Sequence, residues 1–248
     1  MIPVSVAVVT KDEARNIERA LKSVSAFDDI VVIDAFSSDG TVEICRRYTD
    51  RVYQREWMGY ARQKQAAVDL AENQWVLILD ADERVTEGLA EEIKEKIKGN
   101  GPMGFYVPRK NFFLGKWIRH SGWWPDYTLR LFRKDVSHVE FREVHEKVVV
   151  DGPVDYLGQP LEHYTYGTIS DYVGKMENYS TLSAAELHNK KSAPHVLSML
   201  INPFCVFAKM FFLRQGFRDG MHGFILAGLY SSYTFLKYAK MWEKKKDG

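Results

Sequence analysis

Cysteine is nearly absent from this chain: Cys45 and Cys205 are the only two in 248 residues. So few, and so far apart, they exclude a disulfide framework and a cysteine-held metal cluster, and they predict a reducing compartment. Net charge is nearly absent as well, at +1, which by itself points to no class of partner; none is expected to be a nucleic acid. Low-complexity linkers and internal repeats are missing. So is a basic stretch before the first strand, because Met1-Ile2-Pro3 leads straight into it. No signal peptide is therefore expected, and the Asn178-Tyr179-Ser180 sequon reads as chance rather than as a glycan site. A clean hydrophobic run of spanning length is lacking too. Residues 196–213 are barely long enough to cross a bilayer, and Pro203 and Lys209 argue against a simple span.

What is present is an ordinary globular composition, 46% apolar and 27% charged, with enough length for one large domain or a domain plus an appendage. Its most informative stretch is Trp75-Val76-Leu77-Ile78-Leu79-Asp80-Ala81-Asp82-Glu83, an apolar strand stopping at three carboxylates. On a strand, side chains alternate, so Asp80 and Asp82 point to one side about 6–7 Å apart and can share a hard cation. Ligands in open α/β sheets gather at such strand ends. The alternative is that these acids cap a helix beginning near Thr86.

Along residues 1–100, β-branched runs at 4–10, 30–34, 51–53 and 76–79 alternate with helical patterns at about 17–24, 41–48 and 60–71. That alternation predicts parallel β-α-β units with helices on both faces. From 101 to 170 the pattern changes to short aromatic-rich strands at 104–108, 127–132, 138–141 and 147–150, read as an attached mixed sheet. Residues 171–248 read as helices over about 171–189, 196–213 and 220–242. In the last of these, Met221, Phe224, Ile225, Gly228, Leu229, Ser232, Tyr233 and Leu236 form one stripe that ends in lysines. From His195 onward there are eight Lys and Arg against three Asp and Glu. Apolar faces with a lysine-rich end fit an interfacial helix on an anionic leaflet; a soluble helical hairpin, or a homodimer through these helices, is the alternative.

Three features in this order carry a resemblance: a first strand running into Thr10-Lys11-Asp12-Glu13, a second ending Asp34-Ala35-Phe36-Ser37-Ser38-Asp39-Gly40-Thr41, and a third ending Asp80-Ala81-Asp82-Glu83. Together they resemble family-2 glycosyltransferases of the GT-A fold, over about residues 1–165. The usual second-strand motif is Asp-Asp-Gly-Ser-x-Asp-Gly-Thr, so Ala35 and Phe36 depart from it, and contacts by the second acid are lost. Gly59-Tyr60-Ala61-Arg62-Gln63-Lys64-Gln65, the segment from Gly122-Trp123-Trp124-Pro125-Asp126 to Arg133, and Val144-His145-Glu146 are similar to the bacterial lipopolysaccharide-core β-glucosyltransferase group.

The resemblance implies a GT-A domain of two parts, a nucleotide-sugar half at 1–100 and an acceptor half at 101–170, followed by a helical membrane-associating extension at 171–248. It implies an inverting transfer of a hexose, glucose above others, from a UDP-linked sugar to a lipid-linked saccharide on the inner face of the cytoplasmic membrane. Thr10, Asp12, Glu13 and Asp34 would line the nucleoside pocket, accepting hydrogen bonds from base and ribose. Asp80 and Asp82 would hold Mn²⁺ or Mg²⁺, with Asp80 shared with the ribose, Glu83 behind them, and His163 or His145 as a third ligand. Arg62 or Lys64, near a helix start, would meet the phosphates, as would Arg130 rather than Arg133. Asp126 would be the general base, desolvated by Trp123, Trp124 and Tyr127. Two other readings remain: a polyprenyl-phosphate glycosyl synthase, whose ionised acceptor needs no base, and a nucleotide-sugar-binding membrane protein without turnover.

Overall fold

The computed structural model describes residues 1–99, 101–140, 147–189 and 196–246. They divide into two compact units, the first made of Met1–Lys110 and Asp126–His163, the second of Asn111–Pro125 and Tyr164–Gly248.

In the first unit, β1 (Ile2–Thr10), β2 (Phe27–Asp34), β3 (Val52–Gln54) and β4 (Trp75–Asp80) are parallel neighbours in the order β3-β2-β1-β4. Helices α1 (Ile17–Ser23), α2 (Thr41–Cys45) and α3 (Tyr60–Asp69) connect them. The period of two explains the β-branched composition of β1. Val4, Val6 and Val8 share a core with Ile17 and Leu21 of α1, while Ala7 and Val9 share another with Ala67 and Val68 of α3. A strand covered on both faces has no place for polar alternation.

The remaining strands extend the same sheet. After β5 (Glu83–Val85) and α4 (Glu87–Lys96) come β6 (Gly104–Phe113), β8 (Asp126–Arg133) and β12 (Leu161–Tyr166), and the order continues β4-β8-β6-β12-β5. β8 runs antiparallel to β4, with Trp75 opposite Arg133 and Leu77 opposite Leu131, and antiparallel to β6. β6, β8 and β12 thus continue the sheet of residues 1–100, and the mixed sheet expected after residue 100 is part of it. The physical reason is that Leu131 and Phe132 are buried in the two cores that β4 supplies, so no separate core is needed. A small edge strand, β11 (Val154–Tyr156), lies parallel to β6. Among the described residues, only β9 (Ser137–Glu140) and β10 (Lys147–Val150) form a sheet apart. Phe141, at the end of one expected strand, lies outside the described residues.

The helix after β5 is capped by Thr86, whose Oγ1 accepts from the Leu89 amide at 3.2 Å, a contact that stabilises a helix by about 1 kcal/mol. The reading of Asp80 to Glu83 as the cap of that helix is therefore corrected.

In the second unit, β7 (Lys116–Trp117) pairs with the end of β6. Three helices follow: α5 (Ile169–Asn189), α6 (Val196–Ala208), and α7 (Met221–Lys246). A π-helical turn, Lys209–Leu213, and a 3-10 turn, Gly216–Asp219, join the last two. Phe113, Ile118, Tyr172, Met210, Leu226 and Ala227 make the core. Gly223 is required where the 3-10 turn meets α7, because a Cβ there would lie 2.0 Å from the Gly216 carbonyl oxygen. The expected stripe on α7 is displaced: Leu226, Ala227, Thr234 and Met241 are buried, whereas Met221 and Phe224 are exposed. Both α5 and α6 pack on α7, so its buried line comes from two interfaces and not from one face. Among the described residues, no helix is long and apolar enough to cross a membrane.

Candidate active site

The carboxyl ends of β1, β2 and β4 carry most of the expected residues. Thr10 is buried opposite Asp34 in the β1–β2 register, and its Oγ1 has no hydrogen-bond partner among the described residues. A buried hydroxyl left unpaired calls for a partner from outside the chain, such as a water or a ligand atom. The loops after β1 and β2 are knitted together. The Asp12 amide donates to Ser37 Oγ at 2.8 Å and the Ser38 amide donates to Asp12 Oδ1 at 2.8 Å. The Glu13 amide donates to Thr41 Oγ1 at 2.9 Å, and the Ala14 amide to Asp39 Oδ2 at 3.0 Å. Burial alone would raise the Asp39 carboxyl, but the Thr41 hydroxyl and the Ala14 and Thr41 amides outweigh it and hold it below the usual range. Asp34 is buried, accepting from the Ser37 amide at 2.9 Å, Ser37 Oγ at 2.5 Å and Gln54 Nε2 at 3.2 Å. Asp34 therefore anchors its own turn. Asp12 likewise spends its carboxylate on Ser38.

Phe36 sits in the left-handed region at φ 56°. The family motif has glycine at that place, which takes this conformation at little cost, whereas here an exposed phenylalanine bears it.

At β4 the strand stops at Asp80, and the chain turns through Ala81 and Asp82 before β5. The alternation that put Asp80 and Asp82 on one side does not extend through that turn, which corrects the geometric premise. Asp80 instead meets two cations, Lys64 Nζ at 2.9 Å from Oδ1 and Arg130 Nη2 at 2.5 Å from Oδ2. Burial would push the Asp80 carboxyl up, but Arg130 and Lys64 hold it well below the usual range. Glu83, fully buried, accepts from Arg130 Nη2 at 2.6 Å and from the Asp80 amide at 3.0 Å. Arg109 Nη1 lies 3.6 Å from the same Glu83 oxygen. Arg109 also donates from Nε at 3.0 Å and Nη2 at 2.7 Å to Asp126 Oδ2. Six charges thus alternate in sign through the site: Lys64, Asp80, Arg130, Glu83, Arg109 and Asp126. Each is neutralised by its neighbours, which is the condition for holding charges away from water. Lys64 is buried in this chain, whereas Arg62, two residues earlier on α3, is exposed. Arg133, the other cation weighed on β8, is half-buried and pairs with Asp135 at 2.8 Å.

Asp82 Oδ2 lies 3.4 Å from His163 Nε2, a residue brought there by the antiparallel pairing of β12 with β5. Adjacent ligands of an octahedral cation with bonds of about 2.1 Å lie roughly 3 Å apart, so a carboxylate oxygen and an imidazole nitrogen at this spacing fit Mn²⁺ or Mg²⁺. Among the described residues no three His, Cys, Asp or Glu side chains converge as ligands. A two-donor site is nonetheless ordinary where phosphate oxygens and water complete the shell. His145 and Glu146 lie outside the described residues.

Arg109 is the member of this candidate site that the sequence did not single out. Its signal was available: strands at 104–108 and 127–132 paired antiparallel bring Arg109 opposite Asp126, but the register had to be known. Glu83, expected only behind the metal, is instead the centre of the charge chain.

A parallel half running into an antiparallel half, with an Asp-x-Asp turn after β4, is the layout of a GT-A glycosyltransferase. The profile described as Glycosyl transferase family 2 matches residues 5–150, and the chain belongs to that family. It is 27% identical to LpsC, a lipopolysaccharide core biosynthesis glycosyltransferase of Rhizobium meliloti, over 98% of this chain and 93% of that one. An uncharacterized glycosyltransferase of Rickettsia bellii is 30% identical over 97% of this chain and 86% of its own. Among solved structures, S. aureus TarS 1–349 in complex with UDP overlaps 100% of this chain and 92% of that one, at 15% identity and a TM-score of 0.49.

Proposed function

We propose that this glycosyltransferase moves a hexose, with glucose as the first candidate, from a UDP-linked donor to a hydroxyl of a lipid-linked saccharide such as the lipopolysaccharide inner core, with inversion at the anomeric carbon. The observation that carries the reading is Asp126, held by Arg109 at the end of the sheet that also bears the Asp82–His163 pair. The acceptor class is supported by the likeness to the lipopolysaccharide core biosynthesis glycosyltransferase LpsC of Rhizobium meliloti.

In this reading Thr10 Oγ1 and the two knitted loops receive the nucleoside, with Asp34 holding the second loop in shape. Arg62, exposed on the first turn of α3, meets the diphosphate. Lys64 and Arg130 act through Asp80, fixing the strand end from which Asp82 projects. Asp82 and His163 would hold the divalent cation, which when bound supplies positive charge against the leaving diphosphate. Arg109 fixes one oxygen of Asp126, so that the carboxylate is aimed before the acceptor arrives. As the acceptor oxygen bonds to the anomeric carbon and the carbon–phosphate-oxygen bond breaks, Asp126 takes the acceptor's proton, and nucleoside diphosphate leaves. A base on the side of the sugar opposite the leaving group requires inversion. The protein works from the inner membrane face as a peripheral enzyme.

The test is to incubate the purified chain with a panel of nucleotide sugars and Mn²⁺, then with lipopolysaccharide truncated at the inner core. Release of UDP that rises with the acceptor, and a product of inverted configuration, are the expected results. Donor binding with no release at any metal concentration would overturn the enzyme reading.

A further inference from the structure

Several apolar side chains of the second unit, some of them exposed, cluster near the start of α7. Phe211 is their hub, with ring centroids 5.5 Å from Phe207, 5.1 Å from Phe212, 6.3 Å from Phe217 and 5.7 Å from Phe224. The outer members are open to solvent: Phe212 is 60% exposed, Leu213 beside it 80%, and Phe204, one helical turn before Phe207, 73%. A contiguous exposed apolar patch marks an interaction surface.

Charge decides what fits it. Between residues 196 and 242 the only carboxylate is Asp219. It is buried and accepts from the His120 amide at 2.9 Å and the Arg119 amide at 3.4 Å. Lys209, Arg214 and Arg218, in contrast, are exposed on the same stretch of chain as the phenylalanines. A second copy of this chain docked face to face would set these cations against their own images. Anionic headgroups above acyl chains complement both features, a cationic rim and an apolar centre. No helix among the described residues can cross the bilayer, so the contact is interfacial.

We propose that residues 204–224 insert as a wedge into one leaflet of an anionic bilayer, and that this wedge holds the enzyme on the membrane. The lysine-rich end of α7 is not the anchor. With 26 residues, α7 is about 39 Å long, so contacts at its two ends can be tested separately. The proposal rests on the membrane-linked acceptor argued above and deepens it.

The experiment is co-sedimentation of the full chain with phosphatidylcholine–phosphatidylglycerol vesicles. The Phe212→Glu/Leu213→Glu variant should lose at least tenfold in vesicle affinity, while Trp242→Glu, at the far end of α7, should change it by less than twofold. Leu213→Cys in a Cys205→Ser background, carrying an environment-sensitive dye, should shift to the blue with these vesicles. If the full chain stays in the supernatant, the membrane reading fails and the wedge with it. If it sediments, but the double variant binds as well and Lys244→Gln/Lys245→Gln/Lys246→Gln releases it, the wedge alone fails. Should the double variant misfold, the dye decides, and unshifted emission overturns the proposal. A dimer that shields the dye without vesicles overturns it in favour of a second copy.

Discussion

Arg109 and Asp126 face each other across β6 and β8, and two guanidinium nitrogens, Nε at 3.0 Å and Nη2 at 2.7 Å, converge on one carboxylate oxygen, Oδ2. The arrangement fixes where the second oxygen points. Asp126→Asn keeps the shape and removes the base, so turnover should fall by about 10²–10⁴ with donor KM little changed. Arg109→Gln should lower turnover by about 10² through misplacement alone, and Arg109→Lys should restore part of it. Steady-state kinetics with donor and acceptor varied separately check all three variants; a collapse of donor affinity in Asp126→Asn would move that residue into the donor pocket. Retained turnover would instead favour an acceptor already ionised.

Asp82 and His163 stand together at 3.4 Å, so both variants should weaken the metal-dependent activity, to different degrees. Asp82→Ala should abolish transfer without unfolding the chain, because the residue lies in a turn at a strand end. His163→Ala should lose activity that extra Mn²⁺ partly repairs. Chelation of the native protein should mimic Asp82→Ala. Activity titrated against Mn²⁺ distinguishes the outcomes, and a metal-indifferent rate would show that the pair has another task.

The parallel half was legible because β1, β2 and β4 are buried on both faces, and burial writes itself into sequence as β-branched runs between helical patterns. What escaped was pairing across long separations. β8 joins β4 across about fifty residues, and β12 brings His163 to β5 across about eighty; neither register leaves a local mark. The same limit hid Arg109. At Asp80 the failure was different: the strand period was carried one residue too far, through the turn at Ala81, so the two aspartates were given one partner when each has its own. On α7 a single stripe was sought where two helices pack.

Phe36 supplies a third prediction. Its φ of 56° is a conformation that costs a non-glycine residue about 1 kcal/mol or more. The ring is exposed and little packing would be lost, so Phe36→Gly should raise the melting temperature slightly. The loop beside Asp34 and Ser37 is the expected nucleoside site, and the same variant should raise the donor KM. Thermal melts and kinetics on one preparation test both halves; a gain in stability with no change in KM would leave the ring without a role in donor binding.

The last prediction concerns Asp80, which shares its two oxygens between the buried cations Lys64 and Arg130. Asp80→Ala leaves both cations without that partner, and breaking such a pair from one side costs about 3 kcal/mol or more. In a chain of this size that corresponds to a fall of roughly 6–12 °C in melting temperature. Activity should fall as well, since the strand end that presents Asp82 is no longer fixed. The native protein should show the same dependence through pH. The folded carboxyl lies well below its ordinary value, after Arg130 and Lys64 overcome the effect of burial. Its contribution is therefore fully present above the unfolded value of about 3.9 and is lost as pH falls below that toward the folded value. Melting curves of the native chain should thus decline through this acid window, and those of Asp80→Asn should decline less. Parallel curves for the two proteins below about pH 4 would mean that Asp80 is not the group whose protonation weakens the fold.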